Sequence, residues 1–134
     1  MMRRPVPRGL LILFLLFGTA SFIHFVHNAE FLADYPNMPA SWSRTDVYLA
    51  WLVMTSVGLI GLLLVARGLQ IAGLLFVVAY AGLGLDSLGH YVLAPMSAHT
   101  GAMNATIIVE VTTAAVLLIE AVRLVVRRTR AVAL

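Results

Sequence analysis

Four long apolar runs occupy most of this 134-residue chain. They extend over about residues 10–31, 47–66, 69–94 and 103–126, and each has roughly the 20 residues that an α-helix needs to cross a bilayer. Hydrophobic residues make up 61% of the sequence and charged residues 11%, which is too apolar a balance for a soluble domain of this size. The runs therefore predict an all-α integral membrane four-helix bundle, with residues 1–134 forming a single domain.

The arginines predict how the bundle is oriented. All nine basic residues are arginine, and they flank the apolar runs, so the net charge of +3 indicates membrane orientation and not nucleic-acid binding. Arg44 alone lies on one side of the predicted membrane. The other eight lie on the opposite side: Arg3, Arg4, Arg8, Arg67, Arg123, Arg127, Arg128 and Arg130. The positive-inside rule predicts a multi-pass protein of the bacterial inner membrane with both termini cytoplasmic.

Small residues and turns indicate how the runs pack. Residues 67 and 68 are too short a connection for anything but an antiparallel hairpin of the second and third spans. Gly58 and Gly61 are typical of a close-packing helix surface. In the segment between the first two spans, Tyr35 and Trp42 are predicted to anchor the membrane interface.

The chain places seven ionisable residues near one end of the apolar runs. They are His24, His27, Glu30, Asp86, His90, His99 and Glu110. With a rise of 1.5 Å per residue, the deepest of them on three different spans lie roughly 10 Å below the outer ends of those spans. On helical wheels they also share faces with small or polar residues. Because a charged group in hydrocarbon costs several kcal/mol unless it is paired, ligated or hydrated, this band is the predicted functional site.

Histidine and carboxylate ligands suit zinc, iron or manganese, and zinc or iron is the metal we expect. The predicted ligands are His24, His27, Asp86, His90 and Glu110. Glu30 and His99 are predicted catalytic groups, acting as a gate or in proton transfer. The absence of cysteine excludes thiolate-bound zinc and iron–sulfur clusters. If the protein is an enzyme, the site predicts metal-dependent hydrolysis or oxidation of a lipid-soluble substrate.

Several alternatives remain open from the sequence. Haem b could be held by His90 with a histidine of the first span, and copper by Met96, His99 and Met103. A metal-free proton relay or transporter, or a partner subunit of a membrane complex, would also explain titratable groups within the membrane. Each polar residue taken singly is also compatible with a structural role at a hydrated interface. Membrane lipid and a homo-oligomer or membrane complex are the expected partners.

The segment His27-Asn28-Ala29-Glu30 at the end of the first span resembles the H-x-x-E-E motif of small bacterial membrane proteins. Phe31 occupies the position of the second glutamate of that motif. Together with residues 84–91 and 99–110, the pattern is similar to uncharacterised four-helix bacterial membrane proteins. The resemblance implies the four-helix fold and no particular activity.

Overall fold

The computed structural model describes residues 6–132, and all regular secondary structure within them is helical. The five α-helices are α1 (Arg8–Glu30), α2 (Arg44–Ala66), α3 (Gln70–Gly84), α4 (Gly89–Leu93) and α5 (Gly101–Val132). A 3-10 turn, Leu85–Leu88, joins α3 to α4, so the two form one span. The described residues thus contain four helices that are long and apolar enough to cross a membrane, as the apolar runs predict.

The four spans form a ring in which each packs on the two beside it. α1 contacts α2 and α5, and α3 contacts the same two helices from the other side. The connection from α2 to α3 is a tight turn in which Gly68 has a φ of 89°, a conformation that favours glycine. All described arginines except Arg44 lie at the end of the bundle that carries this turn, which we call the turn end. Arg3 and Arg4 lie outside the described residues.

Glycines bring the backbones of α2 and α3 into contact. A Cβ atom added at Gly73 would lie 2.6 Å from the carbonyl oxygen of Gly61. A Cβ at Gly58 would lie 2.6 Å from the Tyr80 ring. The prediction that Gly58 and Gly61 form a close-packing surface is confirmed.

Apolar side chains fill the half of the bundle near the turn end, which we call the closed half. Its fully buried residues come from all four spans, and they include Leu10, Phe17, Val65, Leu74, Val77, Leu117 and Ala121. No His, Arg, Asp or Glu side chain described here joins this core, and its one polar atom is the hydroxyl of Tyr80. Every span exposes large apolar residues on its outer surface, as a bundle surrounded by lipid would.

The opposite half, which we call the loop end, is covered by residues 31–43 and 94–100. Asn37 donates a hydrogen bond of 2.9 Å to the carbonyl oxygen of Leu93, which ties the first connection to the third span. Ser43 caps α2 in a capping box with Asp46. The prediction that Tyr35 anchors the interface is wrong: its side chain is only 3% exposed and points into the bundle. Trp42 is 44% exposed and remains on the surface.

The 3-10 turn changes which residues of the third span face inward. A 3-10 turn advances about 120° per residue instead of 100°. Within it Ser87 is buried and Asp86 is exposed. A helical wheel of 100° per residue therefore no longer predicts which residues of the third span face inward at the depth of the predicted site.

Candidate functional site

A buried pair of ionisable residues lies at the deepest level of the loop end. His24 on α1 and Glu110 on α5 are 2% and 0% exposed, and His24 Nε2 lies 3.6 Å from Glu110 Oε2. The other ring nitrogen of His24 is 3.2 Å from the Thr106 hydroxyl. Ser87 donates a short hydrogen bond to the same carboxylate oxygen of Glu110. Three spans thus contribute to one polar centre.

His90 and His99 continue this centre toward the loops. His90 on α4 is 8% exposed, and its Nε2 lies 3.0 Å from the amide nitrogen of Asn28. Since an amide nitrogen only donates, His90 Nε2 accepts and the proton of a neutral ring lies on Nδ1. His99 is 6% exposed, and its Nδ1 lies 3.0 Å from the Pro95 carbonyl oxygen, to which it donates. The ring centroids of His24 and His90 are 5.4 Å apart, and those of His90 and His99 are 6.1 Å apart.

Several buried polar atoms of this centre have no hydrogen-bond partner among the described residues. They are Ser21 Oγ, Asn28 Oδ1, His90 Nδ1, His99 Nε2 and Glu110 Oε1. Burying a polar atom without a partner costs about 1–3 kcal/mol each. A cluster of five such atoms is therefore a place where a ligand can bind. We call His24, His90, His99 and Glu110 the inner cluster.

Two predicted site residues of the first span lie outside the inner cluster. His27 is half-buried, and its Nδ1 lies 2.9 Å from the Tyr35 hydroxyl. Burial raises the pKa of Tyr35 to about 12, so the phenol stays protonated. Glu30 lies on the surface with Arg44 at 2.6 Å and the Tyr48 hydroxyl at 2.7 Å. Its contacts are those of an interfacial ion pair.

Asp86 lines a cavity instead of entering the inner cluster. The cavity has a volume of about 580 Å³ and lies between α1, the first connection and the third span. His24, Asn28, Ser87 and His90 form its polar wall, while Phe25, Trp42, Leu83, Val92 and Leu93 contribute apolar surface. The inner cluster is therefore reached through a pocket of mixed character, in the size range of small-molecule sites.

The inner cluster is hydrogen-bonded and does not form a closed ligand sphere. No three His, Asp or Glu side chains of residues 6–132 converge on a point where they could hold a metal ion. The spacing of the rings is nevertheless close to that of a metal site: with zinc–nitrogen bonds of about 2.0 Å, tetrahedral imidazole ligands have centroids about 5 Å apart. Rotation of the side chains about their χ angles would be needed to bring the nitrogens together.

Sequence reasoning missed part of the polar centre. Ser87 and Ser21 were not predicted, and Tyr35 was assigned to the interface although its ring lies 4.8 Å from that of His90. Asn28 enters the sequence analysis only as part of the His27-Asn28-Ala29-Glu30 segment. The signal in the sequence was that Ser21 and Asn28 flank His24 at helical spacing, three residues before it and four after it.

Comparison with protein-family models, with curated proteins and with solved structures finds no match to this chain.

Proposed function

We propose that the inner cluster binds one divalent transition metal, zinc or iron, in a membrane protein of the bacterial inner membrane whose loop end faces the periplasm. His24, His90 and Glu110 are the proposed ligands, and His99 is the fourth ligand or the proton-transfer group. The observation that supports this most strongly is the burial of three histidines and a glutamate together, with the acceptor atoms His99 Nε2 and Glu110 Oε1 unpartnered. For His90 to bind the ion through Nδ1, its proton would move to Nε2 and the Asn28 amide would turn to accept it. Imidazole nitrogen and carboxylate oxygen are the donor types such ions prefer.

A single ion agrees better with this arrangement than a haem does. The rings of His24 and His90 meet edge to face at 76°. A porphyrin would have to lie between two histidine rings that both direct a nitrogen toward its iron, and this edge-to-face contact leaves no gap for it. Three buried polar groups at the same level also make the pocket less suited to an apolar macrocycle.

A proton relay across the membrane is also less favoured. The polar groups extend from His99 through His90 and His24 to Glu110. Beyond Glu110 the inward residues of α5 are Ala114, Leu117 and Ala121, all apolar and fully buried. The polar centre is thus closed on one side, as in a binding or catalytic site, and not continuous, as in a transport path.

The cavity beside the inner cluster suggests what the metal acts on. Its wall is mostly apolar around a polar patch, so a lipid-soluble substrate with one polar group would place that group against His24 and His90. Metal-dependent hydrolysis of such a substrate is the proposed activity, in which the ion would polarise the substrate or activate water. Oxidation is the alternative if the ion is iron, with molecular oxygen as the oxidant.

Metal content of the detergent-purified protein tests this proposal. After metal-replete expression, elemental analysis should find about one zinc or iron per chain in the wild type. His24→Ala and His90→Ala should each lose at least about nine tenths of it, since each removes a proposed ligand. His27→Ala is the matched control, because His27 lies on the same helix but bonds to Tyr35, and it should keep its metal.

Two results would contradict the metal site. One is wild-type protein without bound metal after metal-replete expression. The other is equal metal content in all four proteins, which would indicate binding to surface groups. Circular dichroism of each variant checks that the helices remain folded.

A further inference from the structure

Asp86 is an ionisable residue of the third span that the inner cluster does not use. It lies seven residues before Leu93, where that span ends, and thus roughly 10 Å below the outer end of the span. Its side chain is exposed, and the three ion pairs of the described residues use Glu30, Glu110 and Glu120 instead. Because a carboxylate within a membrane-crossing segment is costly without a partner, such a residue indicates a binding site for a substrate or an ion.

Asp86 supplies the accessible charge of the cavity of about 580 Å³. The four residues of the polar wall line the same cavity but are buried, with only 2% to 9% of their surface exposed: His24, Asn28, Ser87 and His90. Ser87 donates its hydroxyl hydrogen to Glu110, and the Asn28 amide donates to His90, so neither of these donors is directed to Asp86. A ligand that enters the cavity therefore meets the Asp86 carboxylate as its exposed acceptor.

The cavity opens through the outer surface of the bundle. Leu83, Val92 and Leu93 line it, and all three are exposed on the third span. In a membrane these side chains would contact acyl chains, so a molecule can enter sideways from the bilayer. Its hydrocarbon chain can stay among the lipids while its polar end reaches Asp86.

Aromatic side chains lie in the wall of the cavity together with the carboxylate. Trp42, from the first connection, is on the surface, and Phe25 of α1 is half-buried. The face of an aromatic ring attracts a cation, and tryptophan attracts it most strongly. A carboxylate beside such rings is the combination that recognises organic ammonium ions.

The charges around the cavity disfavour an anionic ligand. Arg44 is the one described arginine outside the turn end, and it is paired with Glu30 at 2.6 Å. A phosphate or carboxylate group would therefore meet Asp86 without a free arginine beside it, and like charges repel in a site of low dielectric constant.

We propose that this cavity binds a lipid-soluble amine as its ammonium ion, with Asp86 as the counter-ion and Trp42 as the aromatic contact. The proposal rests on the proposed function in one respect: it names the class of substrate whose reacting group would lie against His24 and His90. Binding of the ammonium group needs no metal, because Asp86 lies outside the inner cluster. The two proposals can therefore be tested separately.

Fluorescence of Trp42 in metal-free protein tests the ammonium site. The chain has two tryptophans, so Trp51→Phe leaves Trp42 as the sole reporter. In an uncharged maltoside detergent with a chelator, a nitroxide with a dodecyl chain and a quaternary ammonium group should quench its emission with saturation. The same nitroxide and chain joined by a neutral amide should bind at least about tenfold more weakly, equivalent to 1.4 kcal/mol.

Asp86→Asn should weaken binding of the cationic nitroxide by about tenfold or more and leave the neutral one unchanged. Asp34→Asn is the matched control, because Asp34 is an exposed acid of the first connection that does not line the cavity. It removes the same charge from the same end of the bundle and should leave both affinities unchanged.

Three results would overturn the ammonium site. The first is equal affinity for the two nitroxides, and the second is equal loss of cation binding in Asp86→Asn and Asp34→Asn. The third is loss of metal from Asp86→Asn, which would make Asp86 a metal ligand. A wild type without bound metal would contradict the metal site alone, since the quenching is measured with a chelator present. Circular dichroism checks that each variant keeps its helices.

Discussion

The closed half and the loop end of this bundle are built from the same four spans, but they fill their interiors differently. The closed half brings backbones together at Gly61 and Gly73 and fills the remaining space with apolar side chains. The loop end buries His24, His90, His99 and Glu110 and retains unpartnered polar atoms beside a cavity of about 580 Å³.

Close packing and binding capacity thus occupy different ends of one small domain. A half that packs to van der Waals contact leaves no space for a ligand, but it fixes the spans against one another. Burying polar groups at the loop end lowers the stability of the fold. The packing of the closed half offsets this loss, so the loop end can hold them. Function is therefore expected at the loop end, and stability at the closed half.

The largest effect is expected from a side chain added between the helices of the closed half. Gly73→Val would place a Cβ 2.6 Å from the Gly61 carbonyl oxygen and the Val65 backbone nitrogen, neither of which can move without shifting α2. We expect a loss of about 3 kcal/mol or more in the free energy of unfolding, measured by denaturation in mixed detergent. Gly82→Val, in open space on the same helix, should change it by less than about 0.5 kcal/mol. Equal effects of the two variants would refute the division into halves.

At the loop end, the cost of a substitution should come from lost polar partners. Glu110→Ala leaves His24 and Ser87 without their shared carboxylate and opens a cavity, so we expect a loss of about 3 kcal/mol in metal-free protein. Glu110→Gln keeps the volume and an acceptor, and it should lose only about 1 kcal/mol. The same unfolding assay measures both. If the two variants lose equal stability, the carboxylate charge and not the hydrogen bonding determines the cost.

A smaller effect is expected at the rim of the cluster. Tyr35→Phe removes the hydrogen bond to His27 and should cost about 1 kcal/mol at pH 8. Burial raises the pKa of Tyr35 from 10.0 to about 12, so its ionisation favours the unfolded chain. Wild-type stability should hold below pH 10 and fall between pH 10 and pH 12, and the fall should be shallower in Tyr35→Phe. Tyr48→Phe is the control: its hydroxyl bonds Glu30 at the surface, and its loss should be under about 0.5 kcal/mol. An unaltered pH dependence in Tyr35→Phe would contradict the burial of this phenol.

Much of the fold could be predicted because it follows from local properties. The four apolar runs predict four helices long enough to cross a membrane, and the structure confirms four such helices. Their starts lie between three residues before and one residue after the predicted ones, and the last helix extends past residue 126 to Val132. The two-residue turn at Gly68 predicts the hairpin of α2 and α3. The glycine pair of α2 predicts the close contact between these two helices. Glu120 and Arg123 lie three residues apart, and their side chains meet at 3.4 Å, as this spacing predicts.

Which residues form the polar centre depends on the tertiary structure. The sequence by itself determined that ionisable residues concentrate at one end of an apolar bundle, because their positions along each span fix their depth. Only the folded chain decided that Ser87 and not Asp86 faces Glu110, because a 3-10 turn breaks the 100° register on which a helical wheel depends. Likewise, the burial of Tyr35 rests on a connection held by the bond from Asn37 to Leu93, between residues far apart in the chain, which no local pattern encodes.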